Sequence, residues 1–171
     1  MSTKKLTLIG SNALITVAGV EQVPAKIDTG ADSSSIWASD ILVNSKNQLE
    51  FRLFGPESSL YTGEKLTADK YAVQRVRSST GEVTIRYRVT LPIVAAGRRV
   101  KANFTLYDRS SNNFPVLIGR KTLKNRFLVD VAMVETPPPP KMDNSDIEAE
   151  LAKDPQKFHT KLYNLYQESC K

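Results

Sequence analysis

The residues best placed to do chemistry lie in one short string, Lys26-Ile27-Asp28-Thr29-Gly30-Ala31-Asp32-Ser33-Ser34. An apolar run from Val23 to Ile27 reads as a strand and delivers Asp28 directly into a turn. A carboxylate at a strand end, in a tight turn, can face a cleft. Gly30 permits backbone conformations and close approaches that a Cβ would prevent, and the Thr29 hydroxyl offers a brace for the turn. A bare Asp-Thr-Gly would favour an ordinary strand-turn, but the longer string is far more specific. Metal and nucleotide chemistry find little material. A catalytic zinc wants about three His, Cys or carboxylate ligands around an open position. Yet His159 and Cys170 are the only residues of their kinds, and both lie near the C-terminus. No Gly-x-x-x-x-Gly-Lys-Ser/Thr string occurs. Neither metal nor cofactor is expected.

The elements that must hold this string read as short strands. Ile85, Tyr87, Val89, Leu91 and Ile93 alternate with Arg86, Arg88, Thr90 and Pro92, the period of a half-buried strand. Val100, Ala102, Phe104 and Leu106 repeat the pattern after the turn Ala96-Gly97-Arg98. Further segments of strand character are Leu6 to Ile9, Ala13 to Val17, Val23 to Ile27, Leu49 to Phe54, Tyr71 to Arg77, Val116 to Ile118 and Phe127 to Val131. Many short strands with frequent turns argue for an all-β sandwich or barrel. Pro137 to Pro140 marks the clearest boundary, because consecutive prolines favour a stiff extended spacer. Beyond it, Ile147, Leu151, Phe158, Leu162, Leu165 and Tyr166 recur at roughly helical spacing, interrupted at Asp154-Pro155. The expected organisation is a β domain over 1–136, a proline-rich linker over 137–141 and a helical tail over 142–171.

With 40% hydrophobic and 25% charged residues, the composition is that of a globular protein rather than a disordered one. No apolar run approaches the roughly 20 residues of a membrane span. The start, Met1 to Lys5, leads into Leu6 without a secretory apolar region. The expected location is cytoplasmic, unless a signal peptide has been removed. The net charge of +6 is uneven: up to Glu135 the chain holds 19 basic and 12 acidic residues. Such a surplus can steer an acidic partner by its long-range field. Nucleic acid is not the expected partner, since no helix-turn-helix, zinc finger or aromatic-basic RNA motif is present.

The string around Asp28 resembles the Asp-Thr-Gly-Ala signature of retropepsins, in particular the bacterial retropepsin-like family, RimB-like, whose old name is ATP-dependent zinc protease. The resemblance continues at Arg75 to Gly81, at Thr105 to Arg109, at Phe114-Pro115-Val116-Leu117-Ile118-Gly119-Arg120 and at Phe127 to Asp130, covering roughly Leu6 to Val131. It implies a closed β-barrel of the acid-protease fold and an aspartic peptidase activity, with Asp28, Thr29 and Gly30 catalytic. It also implies that the apolar-apolar-Gly element at Leu117 to Gly119 packs across the back of the catalytic loop. In such enzymes two carboxylates about 3 Å apart share a proton and activate water. A single Asp-Thr-Gly then calls for a symmetric homodimer that brings two Asp28 side chains together. Asp108, read as ion-paired with Arg109, and Asp130 are the intrachain rivals.

Arg75, Arg77, Arg109 and Arg120 match the family's arginines, and with Ala31 they form the expected substrate-binding set. Guanidinium forks bind carboxylates bidentately, so their convergence would favour an acidic, glutamate-rich peptide or protein tail. Arginines paired with the chain's own acids or solvated on strand faces remain the alternative for each. Ala31 lacks the hydroxyl that pepsin-like enzymes often place there, which implies a working pH nearer neutral. Family members commonly carry a histidine where this chain has Trp37, a departure that weakens any metal reading and changes the surroundings of the turn. A flap is also implied, with Gly55 to Glu64 and Ser78 to Gly81 competing for it. The second expectation, from another class, is a catalytically inactive β-barrel that binds acidic peptides.

Overall fold

A computed structural model of the chain describes residues 5–78, 81–136 and 144–169. The chain divides into two compact units, 1–137 and 138–171. The expected linker, 137–141, lies outside the described residues.

The first unit is built of strands β1 (Thr7–Val17), β2 (Val20–Asp28), β3 (Ser34–Val43), β4 (Leu49–Leu53), β5 (Lys65–Ala68), β6 (Ala72–Arg77), β7 (Val83–Ala95), β8 (Arg98–Tyr107), β9 (Val116–Gly119) and β10 (Phe127–Val134), with one helical turn, α1 (Arg120–Leu123). Six strands close a barrel. Along β1-β2-β9-β3-β8-β7 each is hydrogen-bonded to the next, and β7 returns to β1 through Thr16–Val94 and Val17–Ile93. Strand β10 lies beside β1 in parallel, β6 extends outward from β7, and β4 and β5 branch from β3. The fold is the retropepsin-like barrel that the sequence implies.

The second alternating run behaves as its period predicts and the first from Val89 onward: Val89, Leu91, Ile93 and Ala95 of β7 face inward with Val100, Ala102, Phe104 and Leu106 of β8, whereas Ile85 is exposed and Tyr87 half-buried where β7 pairs with β6. Phe51, Phe54, Phe104, Ile9, Ile15, Ile36 and Ile118 fill the centre. Four elements depart from the reading of the sequence. The segments Leu6 to Ile9 and Ala13 to Val17 form one strand, because a register shift between Gly10 and Asn12 absorbs the irregular residues without ending it. Strands β3 and β5 and the turn α1 were not expected. In β3, Ser34 to Ala38 are all buried, since the strand lies between β8 and β9 and its serines are satisfied internally. That pattern has no alternation to read. The chain stays tied to this unit beyond β10: the Asn12 side chain accepts from the backbone of Glu135 (2.9 Å) and Thr136 (3.0 Å).

The second unit holds α2 (Ser145–Lys153) and α3 (Pro155–Ser169). They part at Asp154-Pro155, where the Asp154 carboxylate accepts from the Lys157 amide (3.1 Å) and proline occupies the first helical position. Lys161 reaches back to Glu150 at 2.9 Å. No described helix is long and apolar enough to cross a membrane.

Candidate active site

Asp28 is the last residue of β2, set in parallel against Gly119 of β9. Its Oδ1 accepts two backbone hydrogen bonds, from Gly30 (2.9 Å) and Ala31 (3.1 Å). The loop thus curls around its own carboxylate, and Oδ2 has no partner among the described residues. Such a turn fixes the rotamer of Asp28 and leaves one oxygen free for chemistry. Thr29 and Gly30 are exposed, Asp28 and Ala31 half-buried, and the Thr29 hydroxyl makes no hydrogen bond among the described residues.

The far side of the loop is pinned to β9 and α1. The amide of Arg120 donates to the Ala31 carbonyl (2.8 Å) and that of Lys121 to the Asp32 carbonyl (3.1 Å). Buried Ser34 accepts from the Gly119 amide at 3.1 Å and bonds the Thr122 hydroxyl at 2.8 Å. A Cβ on Gly119 would sit 2.6 Å from the Ser33 carbonyl, so only glycine lets β9 cross this close. The packing of the apolar-apolar-Gly element behind the loop is therefore as the resemblance implied.

One guanidinium group, that of Arg109, lies near the carboxylate, and that of Arg86 lies near Arg109. Half-buried Arg109 donates from Nε to the Phe114 carbonyl (3.1 Å). Burial lowers its pKa, the neighbouring charge of Arg86 lowers it further, and the Asp28 carboxylate opposes both. Arg86 stacks 3.5 Å above the Tyr107 ring and donates to Thr84 (2.8 Å); burial lowers its pKa as well. Neither forms an ion pair among the described residues. The expected pairing of Asp108 with Arg109 does not occur: Asp108 accepts the Ser110 amide (2.9 Å), which with the Ser110 side chain lowers its pKa. Asp130 lies on the edge strand β10, two strands from β2, and accepts the Ala132 amide (2.9 Å). Asp32 is drawn to Lys121 (2.6 Å), which lowers its pKa, and Arg120 stands 3.7 Å away.

The expected arginines therefore separate. Arg109 stands beside the Asp28 loop, whereas Arg120 is exposed and leans toward Asp32. Arg75 and Arg77 lie on the exposed face of the β6–β7 hairpin together with Val73 and Ile85, 63% and 69% exposed. The opposite face carries Gln74, which donates to the Ser33 hydroxyl (2.8 Å), and Arg86. This face brings the hairpin onto the loop. Arg86 was overlooked in the sequence because it shares the polar parity of β7 with Arg88 and Thr90. Its signal was that β7 must leave the barrel before residue 89, where outward-facing residues gain a new neighbour.

Trp37 is buried on the other side, edge-on to Phe54 (6.4 Å between centroids) and against the Gly55 turn. Of the two flap candidates, the turn at Gly55 is held to this core, while residues 79 and 80 of the other lie outside the described residues. Among the described residues no three His, Cys, Asp or Glu side chains gather as a metal site would require.

Comparison with known proteins bears on this site. A curated Shewanella halifaxensis protein named "Probable alpha-L-glutamate ligase" is 29% identical over 115 residues, 66% of this chain and 25% of that protein. The Shewanella pealeana protein of the same name is 30% identical over 118 residues, with the same shares. The chain thus spans about a quarter of the length of these relatives. A solved Legionella pneumophila protein of unknown function shares the fold, with a TM-score of 0.58 at 23% identity, covering 77% of this chain and 98% of that one. The family model of the retropepsin-like aspartic endopeptidase RimB matches residues 10–140, which include the Asp28 loop, β9 and both guanidinium groups. The chain belongs to the RimB-like family of retropepsin-like aspartic endopeptidases.

Proposed function

We propose that the chain is an aspartic peptidase that works as a homodimer on acidic, glutamate-rich peptide tails. The observation that carries this reading is the Asp28 loop: one carboxylate oxygen held by two backbone amides, the other free, beside an exposed Thr29-Gly30. No second unengaged carboxylate of the described residues stands next to it, so the partner acid comes from a second copy. Across the dimer axis the two Asp28 carboxylates share one proton. The ionised one takes a proton from a water molecule, whose oxygen attacks the scissile carbonyl carbon while the other acid protonates the carbonyl oxygen. Collapse of the tetrahedral intermediate breaks the C–N bond, with a proton passing to the leaving nitrogen. The β6–β7 hairpin, joined to the loop through Gln74 and Ser33, serves as the flap.

Two half-buried cations that form no ion pair among the described residues, with the charge of Arg86 acting against that of Arg109, favour a ligand carboxylate, which supports an acidic substrate recognised by Arg109 and Arg86. The relatives named for glutamate ligation support the same substrate class, by association with the addition of glutamate. Light scattering combined with cleavage of a poly-glutamate-tailed peptide tests the proposal. A dimer that cleaves, with Asp28→Asn folded and inert, is expected. A cleaving monomer would move the second acid to Asp108 or Asp130, and a dimer that binds without cleaving would make the chain an acidic-peptide binder.

A further inference from the structure

Outside the Asp28 loop, a cavity of about 90 Å³ lies where the β6–β7 hairpin, strand β8 and the α1 turn meet. Its wall carries four cations, Arg88, Lys101, Lys121 and Arg126, together with Gln74 and Ser33. Asp32 engages Lys121, and Arg126 donates to the carbonyls of Lys121 (3.2 Å) and Thr122 (3.1 Å). Arg88 and Lys101 have no partner among the described residues. Gln74 Oε1 is buried without a hydrogen-bond partner, an anomaly in a well-satisfied interior. If the amide is turned about its last bond, the Ser33–Gln74 hydrogen bond runs from the hydroxyl to Oε1, and the NH2 in the place of the orphaned oxygen is a donor that calls for an acceptor. Beside that NH2 the wall offers Arg88 and Lys101 as unpaired cations, which suit an oxyanion, with Asn103 and Thr122 as its remaining polar side chains.

We propose that this cavity is a binding site for a phosphate group, separate from the catalytic carboxylate and coupled to it through Ser33 and Gln74. A phosphate near pH 7 carries about −1.5 to −2 charge on three or more acceptor oxygens. It offsets more of a four-cation wall than a single carboxylate does, and its tetrahedral oxygens match donors that come from three elements. An occupant would hold the Gln74 amide against Ser33 and so fasten the hairpin to the loop that carries Asp28.

The test is calorimetric titration of inorganic phosphate into the full chain at constant ionic strength, with chloride as the blank. Phosphoserine titrated in parallel distinguishes a free ion from a phosphoryl group on a larger molecule, according to which binds more tightly. Binding with a Kd below about 1 mM is expected. It should weaken by about tenfold or more in Arg88→Gln/Lys101→Gln. The single Lys101→Gln, at an exposed position, weakens it in the same direction without risk to the fold. Asp28→Asn should bind phosphate as the wild type does, so the result is independent of the peptidase reading. Loss of the same two charges from the outer hairpin face, in Arg75→Gln/Arg77→Gln, should leave the affinity unchanged. Equal weakening there, no heat beyond the chloride blank, or a pocket variant that binds normally would overturn the site.

Discussion

At Gly119 a single hydrogen atom decides whether the Asp28 loop can close, because a methyl group there would meet the Ser33 carbonyl at 2.6 Å and the Ala31 carbonyl oxygen at 3.0 Å. Both contacts are backbone and neither can rotate away. Gly119→Ala should lower stability by roughly 1–3 kcal/mol, as overpacking does, and should lower kcat more than it raises KM, since it displaces Asp28 rather than the substrate's side chains. Denaturant unfolding and steady-state kinetics read the two effects. Arg109 acts at the same scale through charge. Its guanidinium is half-buried, spends one donor on Phe114 and forms no ion pair among the described residues. Arg109→Met should raise KM for a glutamate-tailed peptide by about tenfold, the worth of one charge-assisted hydrogen bond. KM for a neutral peptide should hardly move. An equal rise for both peptides would assign Arg109 to packing of the loop.

Among the elements, β3 does the most to position the site, since it carries the loop on one end and the Trp37–Phe54 contact further along. The Trp37 amide donates to the Pro115 carbonyl (2.9 Å), and its carbonyl accepts the Phe54 amide (2.9 Å), so β3 ties the β9 approach to the Gly55 turn. Trp37→Ala should cost about 3–5 kcal/mol through the cavity it leaves, visible as a lower midpoint in chemical denaturation. Histidine, common at this position in the family, would fill less of the same space. The β6–β7 hairpin is two-sided: its inner face touches the loop through Gln74 and Ser33, while Val73, Val83 and Ile85 are left to solvent on the outer face. The hairpin registers along its whole length, from Ala72–Arg88 to Arg77–Val83, so it can move as a body.

For the molecule as a whole, the open question is what completes the site. Among the described residues strand β10 pairs only with β1, and its Leu128, Val131 and Val134 are exposed, as is Leu8 of β1 opposite Leu128. An unpaired apolar edge invites a second chain. Leu128→Glu/Val131→Lys should shift the protein toward monomer in light scattering and lower cleavage in proportion, with activity recovering at higher protein concentration. Activity that persists in a monomeric variant would sink the two-subunit site. The long-range field of the first unit's basic surplus belongs to this scale, and any attraction it exerts on an acidic peptide should weaken as salt rises.

The sequence by itself determined the turn at Asp28, because Asp-Thr-Gly after an apolar strand is a local arrangement with one chemical outcome. It also determined the inward faces of β7 and β8, whose period-two pattern needs no partner to be read, and the helix break at Asp154-Pro155. Only the tertiary structure decided which arginines meet the carboxylate. Strand parity places Arg75 and Arg77 on one face and Arg86 on the other, but which face turns toward the loop depends on the hairpin leaving the barrel and leaning on Ser33. The burial of Ser34 and Ser35 was hidden for the same reason: polar side chains enter a core only when distant partners, here Gly119, Thr122 and Thr105, supply their hydrogen bonds. Such partners are adjacent in space and 70 or more residues apart in the chain.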